Sequence, residues 1–243
     1  MARTIAVLAV QGAFAEHEAR LRELGANVVE LRQAADLEQD FDGLVLPGGE
    51  STTQAKLLHE LGMFDELKRR IEDGMPVLAT CAGLILLASR IEGTGDLAGL
   101  DPAAAKERLA VRGFGTLDVT VERNAYGRQL GSFHTEGHWT KEACEILEQA
   151  AGGSPANGVN FASVHSGAQT STCANHQAAS DVNKPLPLTF IRAPRITKLG
   201  TNAQTLIEHD GYPVAVLQGK QIGVAFHPEL DSDQRLHQLF LSL

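Results

Sequence analysis

A cysteine, a histidine and a glutamate carry the chemistry that can be read in this chain. Ala79-Thr80-Cys81-Ala82-Gly83 falls where an apolar β-type run, Pro76–Thr80, gives way to a helical one. A nucleophile on a tight strand-to-helix turn needs small neighbours, and this one has them. The turn would expose the sulfur at the carboxyl edge of a sheet, where open α/β folds place their sites. The first turn of the following helix would favour thiolate over thiol, and the N–H of Ala82 would point at an oxyanion. Near the other end of the chain, Phe226-His227-Pro228-Glu229 follows a second apolar run. His227 is the natural general base for Cys81, and Glu229 can orient the imidazole and stabilise its protonated form. Each piece has a plainer reading: a cysteine that merely packs, and a His-x-Glu that merely ends a strand. Together they describe a cysteine nucleophile, a base and an orienting carboxylate in the chain order Cys, His, Glu.

A third motif, Pro47-Gly48-Gly49-Glu50-Ser51, ends one strand and opens a helix. Its glycines allow close backbone approach to a ligand, and its N–H groups can hold a negative oxygen. It carries Glu50 and no lysine, which argues against a nucleotide phosphate loop. Standing alone it would read as a plain turn.

These residues must be held by a scaffold, and the sequence outlines one. Thr4–Val10, Asn27–Leu31, Gly43–Leu46 and Pro76–Thr80 read as strands. Phe14–Leu24, a stretch from Ser51, Phe64–Ile71 and Ala82–Ile91 read as helices. Such alternation predicts an α/β fold with a mostly parallel sheet covered on both faces. Further on, Leu117–Glu122 and Leu188–Ile191 read as strands, and Val214–Leu217 and Ile222–Phe226 as a hairpin. Asp231 or Ser232 is expected to cap a last helix that turns Leu236, Leu239 and Phe240 inward. His17, on the apolar stripe of the first helix, reads as a satisfied core histidine. Gly, Ala, Ser, Asn and Thr dominate residues 150–187, a composition that cannot bury enough surface to offset its ordering. One domain of 243 residues is expected, with a mobile surface insertion at about 135–189.

Composition narrows the class. A net charge of −9 with scattered basic residues disfavours nucleic acid as a partner. No apolar run is long enough to span a bilayer. Three cysteines, Cys81, Cys144 and Cys173, make no disulfide framework and fit a reducing, cytoplasmic setting. His134, His138, Cys144, His165, Cys173 and His176 form no compact four-ligand pattern, so no metal is expected.

The stretches AVLAVQG, GLVLPGGESTT, VLATCAGLILLA, VERNAYGRQ, FIRAP and FHPEL occur in an order that resembles the class I (triad) glutamine amidotransferases. Within that class the similarity is to the glutaminase subunits of pyridoxal 5′-phosphate synthase. It covers most of the chain outside the insertion, and PGGEST with TCAGLI and VERNAYGRQ is a specific set. The resemblance implies a three-layer, flavodoxin-like α/β fold. It also implies hydrolysis of L-glutamine by Cys81, His227 and Glu229, with ammonia channelled to a synthase (lyase) subunit that builds the pyridoxal phosphate ring. Gly49, Glu50, Ser51, Arg123, Ile191 and Arg192 would line the glutamine site. Gly48 and Gly49 would contribute to the oxyanion hole, and the chain itself would need no cofactor. A fixed guanidinium suits recognition of a free carboxylate; surface ion pairing is the plainer role for Arg123 and Arg192.

The chain departs from the family pattern at Ala79, where a glycine is common. It also has Gly131 and His134 where acidic residues flank Ser132-Phe133, and a long stretch before FIRAP. Rival readings keep the chemistry but change the partner (the glutaminase of imidazole glycerol phosphate synthase) or dispense with one (a γ-glutamyl hydrolase). VERNAYGRQ and FIRAP argue against both. A non-catalytic scaffold or redox α/β protein would not need His227 and Glu229 alongside Cys81.

Overall fold

The structure, a computed structural model, describes residues 2–92, 113–123, 125, 131–152 and 184–243. The first half alternates strand and helix. It runs through β1 (Thr4–Leu8), α1 (Phe14–Glu23), β2 (Asn27–Leu31), β3 (Gly43–Leu46), α2 (Ser51–Glu60), α3 (Phe64–Glu72), β4 (Val77–Thr80) and α4 (Ala82–Leu87). Strands β3 and β4 are buried at every residue, which is why their sequences are unbroken apolar runs and not alternating ones. Helix α1 stops where expected. Gly25 adopts φ +82, and the N–H of Ala26 returns to the Leu21 carbonyl at 3.0 Å, closing the helix in a left-handed cap.

The second half is richer in strand. It contains β5 (Ala88–Glu92), β6 (Leu117–Glu122), β7 (Ser132–Trp139), α5 (Lys141–Gly152), β8 (Leu186–Ile191), β9 (Arg195–Leu199), β10 (Gln204–His209), β11 (Tyr212–Gln218), β12 (Gln221–Val224) and α6 (Arg235–Ser242). Among the described residues the main sheet runs β2-β1-β3-β4-β12-β11-β10-β7-β8. Its first five strands are parallel to their neighbours, and from β12 outward each pairing is antiparallel. A smaller sheet, β5-β6-β9, stands apart.

Helices cover both faces because the chain winds in two directions. From β1 it steps outward to β2, and from β3 it steps the other way to β4. Right-handed crossovers therefore put α1 and α2 on opposite faces. The packing agrees. A side chain at Gly43 would meet Phe240 of α6 at 3.0 Å, whereas Gly83 of α4 lies against Leu46, three residues along the same strand. Helix α4 sits so close that a Cβ at Gly83 would stand 2.1 Å from the Leu46 carbonyl oxygen, so only glycine fits there.

Three expectations need adjusting. Ala82–Ile91 is not one helix: α4 ends at Leu87, and Ala88 turns to ψ 134 to start β5. All six residues of α4 are buried, and pairing of β5 with β6 takes the chain away from the helix despite its helical spacing. The last helix is not capped by Asp231 or Ser232; it begins at Arg235, behind Gln234, with no side-chain cap. Asp231 is used instead by the Thr189 hydroxyl, at 2.9 Å. Finally, the ends of the 135–189 stretch are regular. Thr135–Gly137 pair with Leu186–Leu188 across β7 and β8, and Thr140 Oγ1 takes the Ala143 N–H at 3.2 Å to start α5. Residues 153–183 lie outside the described residues.

Candidate active site

Strand β4 delivers Cys81 to the carboxyl edge of the parallel strands. The residue adopts φ 47 and ψ −98, a conformation that costs a non-glycine residue about 1–3 kcal/mol. The surroundings impose it. The Cys81 N–H is held by the Val224 carbonyl of the neighbouring strand at 2.9 Å, and its carbonyl takes the Ile85 N–H at 3.3 Å. The residue is 6% exposed, and its sulfur lies 3.8 Å from the Ile191 carbonyl oxygen. Ala82 is the first helical residue behind it, where backbone N–H groups have no intrahelical acceptor.

The parallel neighbour β12 carries the chain to His227 at the same edge. The His227 N–H is anchored on the Thr189 carbonyl at 2.8 Å, and a short 3-10 turn, Pro228–Leu230, folds Glu229 back beneath the ring. His227 Nδ1 and Glu229 Oε1 are 2.7 Å apart, with both side chains buried. Burial alone pushes the imidazolium of His227 down. Its hydrogen bonds to Cys81 and Glu229, with their negative charge, outweigh burial and lift its pKa to about 10. Burial likewise pushes the Glu229 carboxyl up, but the imidazoles of His17 and His227 outweigh it and hold it below the usual range. The arrangement favours an imidazolium held by an ionised Glu229, the partner that a thiolate nucleophile needs.

The glycine motif closes over this group. A side chain at Gly48 would fall 2.3 Å from His227 Cε1, so the backbone of Gly48 packs on the ring. The loop is tied from behind by residues that the sequence did not single out. Gln11 Oε1 accepts the Glu50 N–H at 2.8 Å. Gln54 Nε2 donates to the carbonyls of Gln11 and Pro47 at 3.0 and 3.1 Å. Gly12, at φ +105, lies so near that a Cβ there would stand 1.8 Å from the Gly48 oxygen. The one available signal was the Gln-Gly step after the first strand.

Glu50 is exposed and caps α2, accepting from the Thr52 and Thr53 N–H groups at 3.2 and 2.6 Å. Burial raises its pKa, but these bonds and the Thr53 hydroxyl outweigh it and hold the carboxyl low. Ser51 is buried in the first turn of that helix. Arg123 Nη1 reaches Thr52 Oγ1 at 3.4 Å, which brings a cation to the start of α2. Asn124 and residues 126–129 of VERNAYGRQ lie outside the described residues.

On the opposite side, Ile191 and Arg192 are exposed. Arg192 sits at φ 46, its N–H held by the Gly131 carbonyl at 2.6 Å. His134, the other departure on this wall, places Nδ1 2.8 Å from Thr189 Oγ1. Ala79, where the family often has glycine, is fully buried in β4 and lies opposite Gly223.

Among the described residues no cluster of three or more His, Cys, Asp or Glu could hold a metal. Cys173, His165 and His176 lie outside them. Among the described residues, too, no helix is long and apolar enough to cross a membrane.

The profile of the SNO glutamine amidotransferase family matches residues 7–144 and 159–243. A pyridoxal 5′-phosphate synthase subunit PdxT from Desulfitobacterium hafniense (strain DSM 10664 / DCB-2) is 43% identical over 237 residues, covering 98% of this chain and 91% of that protein. The PdxT of Bifidobacterium longum (strain NCC 2705) is 40% identical over 239 residues, 98% of each chain. It is therefore of nearly the same length, so the long stretch before FIRAP does not make this chain unusually large. A solved glutamine amidotransferase aligns over 98% of both chains with 33% identity and a TM-score of 0.70.

Proposed function

The chain belongs to the SNO glutamine amidotransferase family, and on that premise we propose that it is the glutaminase of a pyridoxal 5′-phosphate synthase. It hydrolyses L-glutamine to L-glutamate and ammonia, and the ammonia passes to a synthase subunit that builds the pyridoxal phosphate ring. The observation that carries the reading is the buried pairing of His227 with Glu229 at 2.7 Å, with Cys81 at φ 47 following the adjacent parallel strand at the same sheet edge. The PdxT relatives along nearly the whole chain support the choice of partner.

In this reading the Cys81 thiolate attacks the carboxamide carbon of glutamine. The oxyanion that forms is met by the N–H of Ala82 and by the Gly48-Gly49 backbone. His227, as imidazolium, gives its proton to the departing nitrogen, and ammonia leaves a glutamyl thioester on Cys81. The neutral imidazole then takes a proton from water as that water attacks the thioester, and glutamate departs. Glu229 holds the ring in orientation throughout. Arg123 and Arg192 take the α-carboxylate, and Glu50, Ser51 and Ile191 shape the pocket beside it. Cys81 is a free thiol, which fits work in the reducing cytoplasm.

The test is glutamate release from L-glutamine, with and without the synthase subunit, by wild type and Cys81→Ala. Release that rises with the subunit and disappears in Cys81→Ala is the expected result. Release by Cys81→Ala at the wild-type rate would sink the assignment of the nucleophile. Full release that ignores the subunit would remove the proposed partner.

A further inference from the structure

Two buried histidines lie behind the Cys81–His227–Glu229 group, and the mechanism above does not use either. His17, on α1, and His237, on α6, are both 0% exposed. Their rings approach edge to edge, with His17 Nδ1 3.1 Å from His237 Nε2. The other nitrogen of His17, Nε2, lies 3.1 Å from Thr80 Oγ1 and 3.3 Å from Glu229 Oε2. The contact with Glu229 is off-line for a full hydrogen bond, and Oε2 has no better-aligned partner. One ring thus touches the residue that precedes the nucleophile and the free oxygen of the carboxylate that orients His227.

The proton positions follow from the acceptor that cannot change. Glu229 Oε2 and the Thr80 oxygen both face Nε2, and an ionised carboxylate only accepts. Nε2 therefore carries the His17 proton and shares it between the two oxygens. Nδ1 is then an acceptor, so His237 Nε2–H donates to it. This leaves His237 Nδ1 as a bare lone pair, in agreement with the absence of any hydrogen-bond partner for that buried atom; an unpaired acceptor is tolerated better than an unpaired N–H. The result is a relay in which the His237 N–H points at His17 and the His17 N–H faces Thr80 and Glu229. Burial favours the neutral form of both rings; the charge of Glu229 pulls His17 the other way, and burial prevails.

We infer that His17, aligned by His237, is a positioning residue for the glutaminase reaction: it pins the second oxygen of Glu229 and, through Glu229, the ring plane of His227. The inference rests on the proposed roles of Cys81, His227 and Glu229. It goes beyond them, because a carboxylate held at only one oxygen is free to rotate about its own bond, and the imidazole would follow it.

The experiment compares His17→Leu, His17→Gln and His17→Asn in whichever state, alone or with the synthase subunit, gives wild-type glutamate release. Glutamine places its amide N–H near the position of Nε2. Asparagine places it near Nδ1, and leucine has none. The expected result for His17→Leu and His17→Asn is a fall in kcat of about tenfold or more, with KM for glutamine within about twofold, and recovery of most of the loss in His17→Gln. In a Glu229→Gln background the leucine change should cost less than about twofold, because the group it positions is already altered. Wild-type kcat in folded His17→Leu overturns the inference. So does an undiminished loss in the Glu229→Gln background, which would show that His17 acts on packing alone. If His17→Leu does not fold, full kcat in His17→Asn overturns it equally. Inactive wild type would instead strike at the proposed function, so the two failures are distinguishable.

Discussion

The floor of the site and its rim are built differently. Cys81, His227 and Glu229 are 6%, 6% and 2% exposed and issue from β4 and from the turn that follows β12, adjacent parallel strands whose register is fixed from Val77 to Thr80. Gly49, Glu50, Ile191 and Arg192 around them lie open to solvent, on segments that follow β3 and end β8. The two glutamates make the contrast concrete. Glu229 is sealed and spends its charge on His227, whereas Glu50 is exposed and spends its charge capping α2. A reacting group must be held in one protonation state and one orientation, which takes burial and fixed partners. A rim that admits a free amino acid must stay open and can rely on loops.

If that division is right, damage to the floor should appear in turnover and damage to the rim in binding. Gly48 is the sharpest place to test the floor, because it belongs to the loop yet packs on the ring. A methyl at this position would overlap His227 Cε1, so either the imidazole or the loop must move. Gly48→Ala should lower kcat for glutamate release by about a hundredfold, the loss that a displacement on the order of 1 Å produces in a catalytic constellation. Unchanged kcat with a raised KM would place Gly48 on the rim and break the division.

Arg123 tests the other side. Its guanidinium stands at the start of α2 beside Thr52, and its proposed role is to take the substrate carboxylate. Arg123→Gln should raise KM by about tenfold with kcat within about threefold, the signature of binding lost equally from ground and transition states. A proportionate fall in kcat would mean that Arg123 also orders the floor.

The same contrast explains what could be read from the chain before its structure. The floor was legible because its requirements are local: a cysteine between small residues on a strand-to-helix step, and a His-Pro-Glu after an apolar run. Helix α1 was legible from its spacing, down to the glycine that ends it. The parts that brace the site were not, because they come together only through topology. Gln11 and Gly12 meet the Gly48 loop because β1 lies beside β3, and no periodicity in either segment says so. From its spacing His17 reads as a satisfied core histidine, and it is buried and hydrogen-bonded. That its ring would meet Thr80 and Glu229 depended on three elements converging. The end of α4 is not legible for a related reason: Leu84–Leu87 and Ile91 keep helical spacing, yet pairing of β5 with β6 decides where the chain turns.

The smallest effect tests the strain stored in the floor. Elsewhere in a protein, replacing alanine by glycine costs about 0.5–1 kcal/mol, because the unfolded chain gains freedom. At φ 47 and ψ −98 relief of strain should offset that cost. Alanine keeps the clash that Cys81 now tolerates, and glycine has no Cβ to clash. Both Cys81→Ala and Cys81→Gly lack the sulfur, so the loss of the imidazolium pairing cancels between them. What remains is strain relief of about 1–3 kcal/mol set against lost methyl burial and added chain entropy, two terms of about 1 kcal/mol each. Cys81→Gly should therefore lie within about 1 kcal/mol of Cys81→Ala in equilibrium denaturation. A glycine variant about 2 kcal/mol below alanine would mean that the nucleophile sits without strain, and the floor would then be held by its hydrogen bonds alone.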